Sequence, residues 1–594
     1  GDSMRVTRQR RRHRLYATNP LPPALFDLQT ALTAAGVTAN ATPGTSAVVT
    51  LPPGIVSIPS LVTWPDVTAD GSEIVLNGVG IDATTLKMVS GFVGANMMKL
   101  SNTTLSNPWI TEANPTTLAV ITRGDTTITR TAGIAPTPGW YMIADDALWY
   151  DGITKWRAYL VKVTVVNGNT ITLDAGTPHN FNVGTVQMWR VDSKVSRGAR
   201  VKNLTIDGYV DGVGYMTTPL FAYALASFTL QNVRIKRFAT SGIQLFRSRN
   251  LRRLGCTFDE MDPQYHATTG RGRGWDCYWS YDIISDAVLV NNLRHGTQYN
   301  ACCDVTEPAG TATNCWGNNI DLHGQQSYNV AYSGWTSTPE PGLSASSLYA
   351  VRAGNETFKD WETGHSFSNM NLGGTDILCC GARQCSFTDI IAVRRLRFEG
   401  NTDADLGGSI YPQANTFTRV YCTGDATGTV IYGPSGGFKR ATGQTFSYCF
   451  FGVPATAGAV PPINFDTIDG DSDFTFDHCW FDCSLATATK AILAQAAGVP
   501  TGTLTLTFSN CIFNLNSGAD PFVQSQTNSP TIVVHFTNCV QCKASDLSFT
   551  LPVSLGNYTL GTNSGNVVYA AQAVPGTISA TVAQIDAILA AAHE

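Results

Sequence analysis

Along the C-terminal third of the chain one alternation of apolar and polar positions returns at a near-constant interval. Thr445-Phe-Ser-Tyr-Cys-Phe-Phe451, Thr475-Phe-Asp-His-Cys-Trp-Phe481, Thr507-Phe-Ser-Asn-Cys-Ile-Phe513 and His535-Phe-Thr-Asn-Cys-Val-Gln541 are four copies of one unit. With the first aromatic as anchor, the series Phe536, Phe508, Phe476, Phe446, Phe417, Phe387, Phe358 and Tyr328 advances by 28 to 32 residues per step. A period of this length, built from short strands, predicts stacked coils in which each unit buries its apolar face only against its neighbours. Upstream the anchor becomes aliphatic, at Val290, Leu230 and Val201.

Several units read apolar, polar, Asn, apolar. A strand alternates with period two, so inward residues three apart require a corner between them. Asn203, Asn232, Asn292, Asn510 and Asn538 occupy that slot, and Asn suits it because it tolerates the left-handed conformation and hydrogen-bonds nearby backbone. The position three after the anchor holds Cys449, Cys479, Cys511 and Cys539, which predicts an internal ladder of small apolar side chains. The fold expected is all-β: a right-handed parallel β-helix with an N-terminal capping helix, a small inserted β module and a C-terminal β/helical tip.

The segments divide accordingly. Residues 1–22 form a basic arm and 23–106 a cap with the first coils. In that cap Leu25, Leu28, Leu32 and Ala35 follow helical spacing up to Gly36, a helix stop. Residues 107–191 lose the repeat and carry aromatic strand-like runs, the inserted module. Residues 192–545 form the main helix, and 546–594 a tip that could serve oligomerisation, where Val582, Ile585, Ile588 and Leu589 mark an amphipathic helix.

Composition agrees with repetition: charged residues are 14%, and 55 glycines serve many turns. A net charge of -5 argues against nucleic acid as a partner, although Arg5, Arg8, Arg10, Arg11, Arg12 and Arg14 make a basic start that could dock in an assembly. Gly1-Asp2-Ser3 ahead of Met4 has the look of an expression remnant. The arginine-rich start lacks the apolar core of a secretory signal, and no apolar run is long enough to insert in a membrane. Fifteen cysteines, placed at repeat positions, read as buried thiols rather than a disulfide framework.

Phe26-Asp-Leu-Gln-Thr-Ala-Leu32, Leu51-Pro-Pro-Gly54 and Asn77-Gly-Val-Gly80 resemble the N-terminal motifs of pectate-lyase-superfamily (pectin-lyase-like) β-helices. With the inserted module before Arg200-Val-Lys-Asn-Leu-Thr-Ile206, residues 24–545 resemble the tailspike and tail-associated β-helix proteins of bacteriophages. That resemblance implies a homotrimer on the virion tail, in contact with other virion tail proteins, which binds a bacterial surface polysaccharide and often cleaves it. A secreted bacterial lyase is the alternative location and role. The calcium-binding aspartates and catalytic arginine of pectate lyases have no match here, so pectate cleavage is not implied.

The densest polar cluster falls on consecutive coils: Arg294-His295-Gly296, Asp321-Leu-His323-Gly324 and Arg352-Ala-Gly354. Counted from their anchors, Asp321 and Arg352 should be vertical neighbours about 4.8 Å apart, able to hold His323 or to flank a sugar. A second cluster lies in a segment from Asp259 to Asp286 expected to protrude, with Trp275, Asp276, Tyr278, Trp279, Tyr281 and Asp282. Rings cover the apolar faces of sugars while acids bind hydroxyls or protonate leaving oxygens. Hydrolysis needs two carboxylates about 5 to 9.5 Å apart, with Asp276, Asp282, Asp321, Glu356 and Asp360 as candidates. A lyase would instead use His295, His323 or a tyrosine as base, with Arg294 or Arg352 neutralising a uronate. Both clusters could equally be structural, capping turns or closing a satellite core. Glu362 and His365 could extend the groove. Neither a metal site nor a cofactor motif emerges.

Overall fold

A computed structural model describes residues 26–101, 115–146, 158–208, 218–238, 240–259, 272–286, 288–291, 294–322, 327–339, 349–353, 362–399, 401–403, 408–424, 431–432, 440–452, 463–466, 470–483, 492–495, 502–515, 531–543, 558–570 and 578–593. Thirty-eight strands pair in parallel, each with the strand one coil on. Where the coils are fully described they supply three faces, here A, B and C. One coil runs Arg249–Leu254 (A), Thr257–Asp259 (B) and Arg273–Tyr278 (C). Tyr281–Asp286, Val288–Asn291 and His295–Asn300 pair onto these in turn. The next coil is Cys303–Glu307, Gly310–Cys315 and Ile320–Leu322, followed by Tyr328–Ser333, Trp335–Pro339 and Tyr349–Ala353. The architecture is the parallel β-helix that the repeat predicts, right-handed as parallel crossovers are.

The aromatic anchors form one column. From Phe367 through Phe387, Phe417, Phe446, Phe476 and Phe508 to Phe536, successive ring centroids lie 4.7 to 5.4 Å apart, near parallel. Above Phe367 the expected series needs correction. Tyr332, not Tyr328, stacks on Phe367, and Phe358 lies outside the described residues. One step spans only the interval from Phe367 to Phe387, so a fixed period of 30 overshoots. Further up, the same column passes through Glu307, Ser285 and Arg253 before returning to Leu230 and Val201. Val290, the expected anchor there, belongs to face B. The polar interruption of the lumen is what hid the register.

The corners are as the Asn spacing predicts. Asn203, Asn232, Asn510 and Asn538 have φ between 50° and 58°, whereas Asn292 lies outside the described residues. Asn232 Nδ2 donates to Asn203 Oδ1 (2.9 Å), and Asn203 Nδ2 donates to Asn77 Oδ1 (3.0 Å), so the corners knit coil to coil. Asn510→Ala should destabilise the chain by about 1 to 2 kcal/mol in denaturant titration, since Ala pays the left-handed penalty and loses a hydrogen bond to Asp477. Asn510→Gly should cost less. Every cysteine whose side chain is described is a free, buried thiol, and Cys449, Cys479, Cys511 and Cys539 each donate to the carbonyl of a neighbouring coil's anchor.

A helix, α1 (Leu28–Ala41), covers the first coil with Leu28, Leu32, Ala35 and Ala39, and Asp27 caps it by accepting from Thr30 N (3.0 Å). Gly36 is not the expected stop: the helix runs through it, and glycine is needed there because a Cβ would stand 2.6 Å from Pro65. Between adjacent coils the chain leaves the stack to form a closed six-stranded antiparallel barrel, from Thr116–Leu118 to Val186–Arg190. It then rejoins without a gap, Thr205 pairing with Thr85. A second helix, α2 (Ile578–His593), folds back on its own chain, with Ile585, Ile588 and Leu589 packed on Phe450, Trp480, Ile512 and Val540 of face B. Among the described residues no helix is long and apolar enough to cross a membrane.

Candidate functional site on face C

On face C alternate residues point into and out of the lumen. Ile243, Trp275, Ile320 and Val351 belong to the core. Their neighbours make an outward column in strict register: Gln244, Asp276, Gln298, Asp321, Arg352. Asp321 and Arg352 are thus vertical neighbours as expected, although their coils are set by Tyr332 and Phe367 rather than by the assumed anchors.

Asp276 is fully buried. Its Oδ2 accepts from Arg273 Nη1 (3.0 Å), Gln244 Nε2 (3.2 Å), Ser241 Oγ (3.3 Å) and Tyr278 OH (3.3 Å). Its Oδ1 accepts nothing among the described residues, and neither does Gln298 Oε1 on the next coil. A buried carboxylate oxygen without a donor is costly, and such atoms mark places where a ligand or water completes the set. One coil further, Asp321 Oδ1 accepts from Asn318 Nδ2 (3.2 Å), and Oδ2 stands 3.7 Å from His295 Nδ1, itself 3.3 Å from the Asn318 carbonyl. Burial alone would pull the Arg273 guanidinium down, but Asp276, Tyr278 and Asp321 outweigh it and hold it above the usual arginine value. Burial, with Asp276 adding to it, lifts the Tyr278 hydroxyl well above the ordinary phenol range.

The structure therefore gathers Asp276, Tyr278, Arg294, His295, Asp321 and Arg352 on one wall. Other expected site residues fall elsewhere. Trp275 lies in the lumen, its ring under the Arg253 guanidinium. Trp279 and Tyr281 join the core of the barrel, where Tyr281 OH donates to the Leu160 carbonyl (2.5 Å); they fasten the barrel to the helix, and Tyr281 also lines the cleft beside Asp282. Asp282, on face A, pairs with Arg252 (3.1 Å) and lines a separate cleft of about 660 Å³ between barrel and wall, beside Arg123, Arg249 and Asp304. Of the segment expected to protrude, residues 273–278 and 281–286 are regular coil strands, and residues 260–271 lie outside the described residues. Glu362 and His365 lead into face A, and buried His365 accepts from Val330 N (3.1 Å) through Nδ1. His323, Glu356 and Asp360 lie outside the described residues. Gln244, Arg273, Gln298 and Asn318 escaped notice in the sequence. Only Arg273, in Gly272-Arg-Gly-Trp-Asp276, carried a usable signal. Among the described residues no group of three or more His, Cys, Asp or Glu is placed to hold a metal.

No family model matches the chain, and no curated protein does. Among solved structures it is similar to the tailspike protein gp49 from Pseudomonas phage LKA1, with 13% identity, 90% of this chain and 77% of that one covered, and a TM-score of 0.42. It is also similar to the Gp54 tailspike of Acinetobacter baumannii bacteriophage AP22, solved with a capsular saccharide (12% identity, 93% and 76% covered, TM-score 0.34). A third is the catalytic unit of an alpha-1,3-glucanase from Streptomyces thermodiastaticus (10%, 76% and 89%, TM-score 0.29).

Proposed function

We propose that face C binds a bacterial surface polysaccharide and hydrolyses it between Asp276 and Asp321. The observation that carries this is the register: the two carboxylates stand in one outward column with Gln298 alone between them. Two coil steps separate them by about 9.6 Å at the backbone, close to the upper end of the spacing for an inverting hydrolase and well beyond the roughly 5 Å of a retaining one. In this assignment Asp276 Oδ1, which accepts nothing among the described residues, takes the proton of the attacking water. Asp321, joined to His295, gives one to the leaving oxygen. Arg352 beside Asp321 orients the chain. A lyase is less well served, because His295 is buried and turned toward Asn318 and Asp321.

Cleavage is tested with purified protein on a panel of capsular and wall polysaccharides, following viscosity, new reducing ends and, by NMR, the anomer first released. Reducing ends appearing as the inverted anomer support the assignment; a retained anomer or an unsaturated end rejects it. Adsorption without cleavage is the second possibility, and the complete burial of both carboxylates favours it. It predicts a polysaccharide that is bound yet left unshortened. The sequence resemblance to phage tail proteins adds an assembly expectation: a homotrimer at the virion tail, seen by sedimentation as a stable species of three chains, whereas a monomer favours a free secreted enzyme.

A further inference from the structure

We infer that Arg294 is the receptor for an anionic substituent of the glycan, so that this wall selects acidic polysaccharides; the inference rests on the glycan-binding role of face C. The evidence is the isolation of its guanidinium. Arg234, Arg237, Arg249, Arg253, Arg273 and Arg419 each meet a carboxylate. Arg294 is half-buried, yet its side chain makes no ion pair and no hydrogen bond among the described residues. A charge withdrawn from water without a partner is unfavourable, and a bound anion removes that cost.

The surroundings are built to hold the side chain in place. Arg294 N donates to the Gly272 carbonyl (2.8 Å). A Cβ at Gly317 would lie 2.8 Å from Arg294 Cγ, and one at Gly272 would lie 3.2 Å from Arg294 Cβ. Two glycines on neighbouring coils thus clear the bed on which the side chain lies. Burial, then the positive charges of Arg273 and Arg352, depress the Arg294 pKa, with Asp321 opposing them. Arg273, Arg294 and Arg352 share this stretch of wall with Asp276 and Asp321, so positive charge is in slight excess there, which favours an anion. The planar fork of Arg294 fits a carboxylate, sulfate or phosphate with two parallel hydrogen bonds.

The experiment compares acidic capsular oligosaccharides with the same oligosaccharides after chemical reduction of their carboxyl groups, titrated calorimetrically into the full chain. Arg294→Gln should weaken binding of the acidic form at least tenfold, Arg294→Lys should restore part of it, and carboxyl reduction should produce the same loss in the unsubstituted protein. Competition by sodium glucuronate identifies the carboxylate as the group recognised; competition by inorganic sulfate alone assigns a sulfate or phosphate ester. Equal binding of native and reduced forms, or of the unsubstituted and Arg294→Gln chains, overturns the inference and leaves the glycan-binding role standing. A chain that binds neither acidic nor neutral glycans overturns both.

Discussion

Asp321→Asn is expected to lower the rate of glycan cleavage by roughly 100- to 10,000-fold, the usual contribution of a general acid, while binding falls by less than threefold. Asn keeps the shape of the side chain and its contact with Asn318 but cannot deliver a proton. Asp276→Asn should act alike, because the oxygen it alters accepts no hydrogen bond among the described residues. Initial rates of reducing-end release, set beside calorimetric binding of the same oligosaccharide, provide the measurement. A thermal unfolding curve is needed too, since both carboxylates are buried and Asp276 meets Arg273. Loss of stability with unchanged turnover per folded molecule would make these carboxylates structural and leave adsorption as the role of the wall.

The second large effect lies inside the helix. Arg253 and Glu307 form an ion pair within the lumen, both fully buried (2.5 Å). Ser285 Oγ accepts from Arg253 Nε (2.8 Å), and Tyr299 OH donates to Glu307 Oε1 (2.5 Å). Removing one partner strands the other charge, so Arg253→Met should cost about 3 to 5 kcal/mol, whereas Arg253→Met with Glu307→Leu should recover most of that loss. The effect depends on pH with a definite sign. Burial already lifts the Glu307 carboxyl above its usual value against the pull of Arg253. Without Arg253 it rises further, so the folded variant holds a proton that the unfolded chain releases above about pH 4.5. The stability of Arg253→Met should therefore be greatest at acid pH and fall as pH rises through the folded-state value. Equilibrium denaturation between pH 4 and 8 checks this; a pH-independent deficit contradicts it.

How much of this was legible depended on whether a residue spoke through the repeat. Phe417, Phe446, Phe476 and Phe508 recur in sequence because each fills the same lumenal slot, so their column could be read directly. The Asn corners were legible for the same reason, a left-handed backbone that Asn tolerates, although Tyr448 and His478 fill the same corner in two coils. Arg253, Ser285 and Glu307 occupy that slot too, but they bond to one another instead of presenting an apolar side chain, and the pattern lost its place there. Trp275 illustrates the opposite failure. An aromatic beside an acid looks like a sugar site, yet strand parity sends Trp275 inward and Asp276 outward. Trp279 and Tyr281 misled because their partner, the barrel, is more than a hundred residues away in sequence.

By itself the sequence determined the coil: its apolar period, its corners and the stacking of like on like, since these are local demands that each unit must meet alone. It also determined that Asp321 and Arg352 belong to successive turns. Only the tertiary structure decided which face each residue occupies, what the barrel covers, and that Asp276 stands in one column with Asp321 while Arg294 meets no carboxylate among the described residues. Such facts arise where coils of unequal length come into register, and register is set by the sum of contacts along the stack rather than by any one segment.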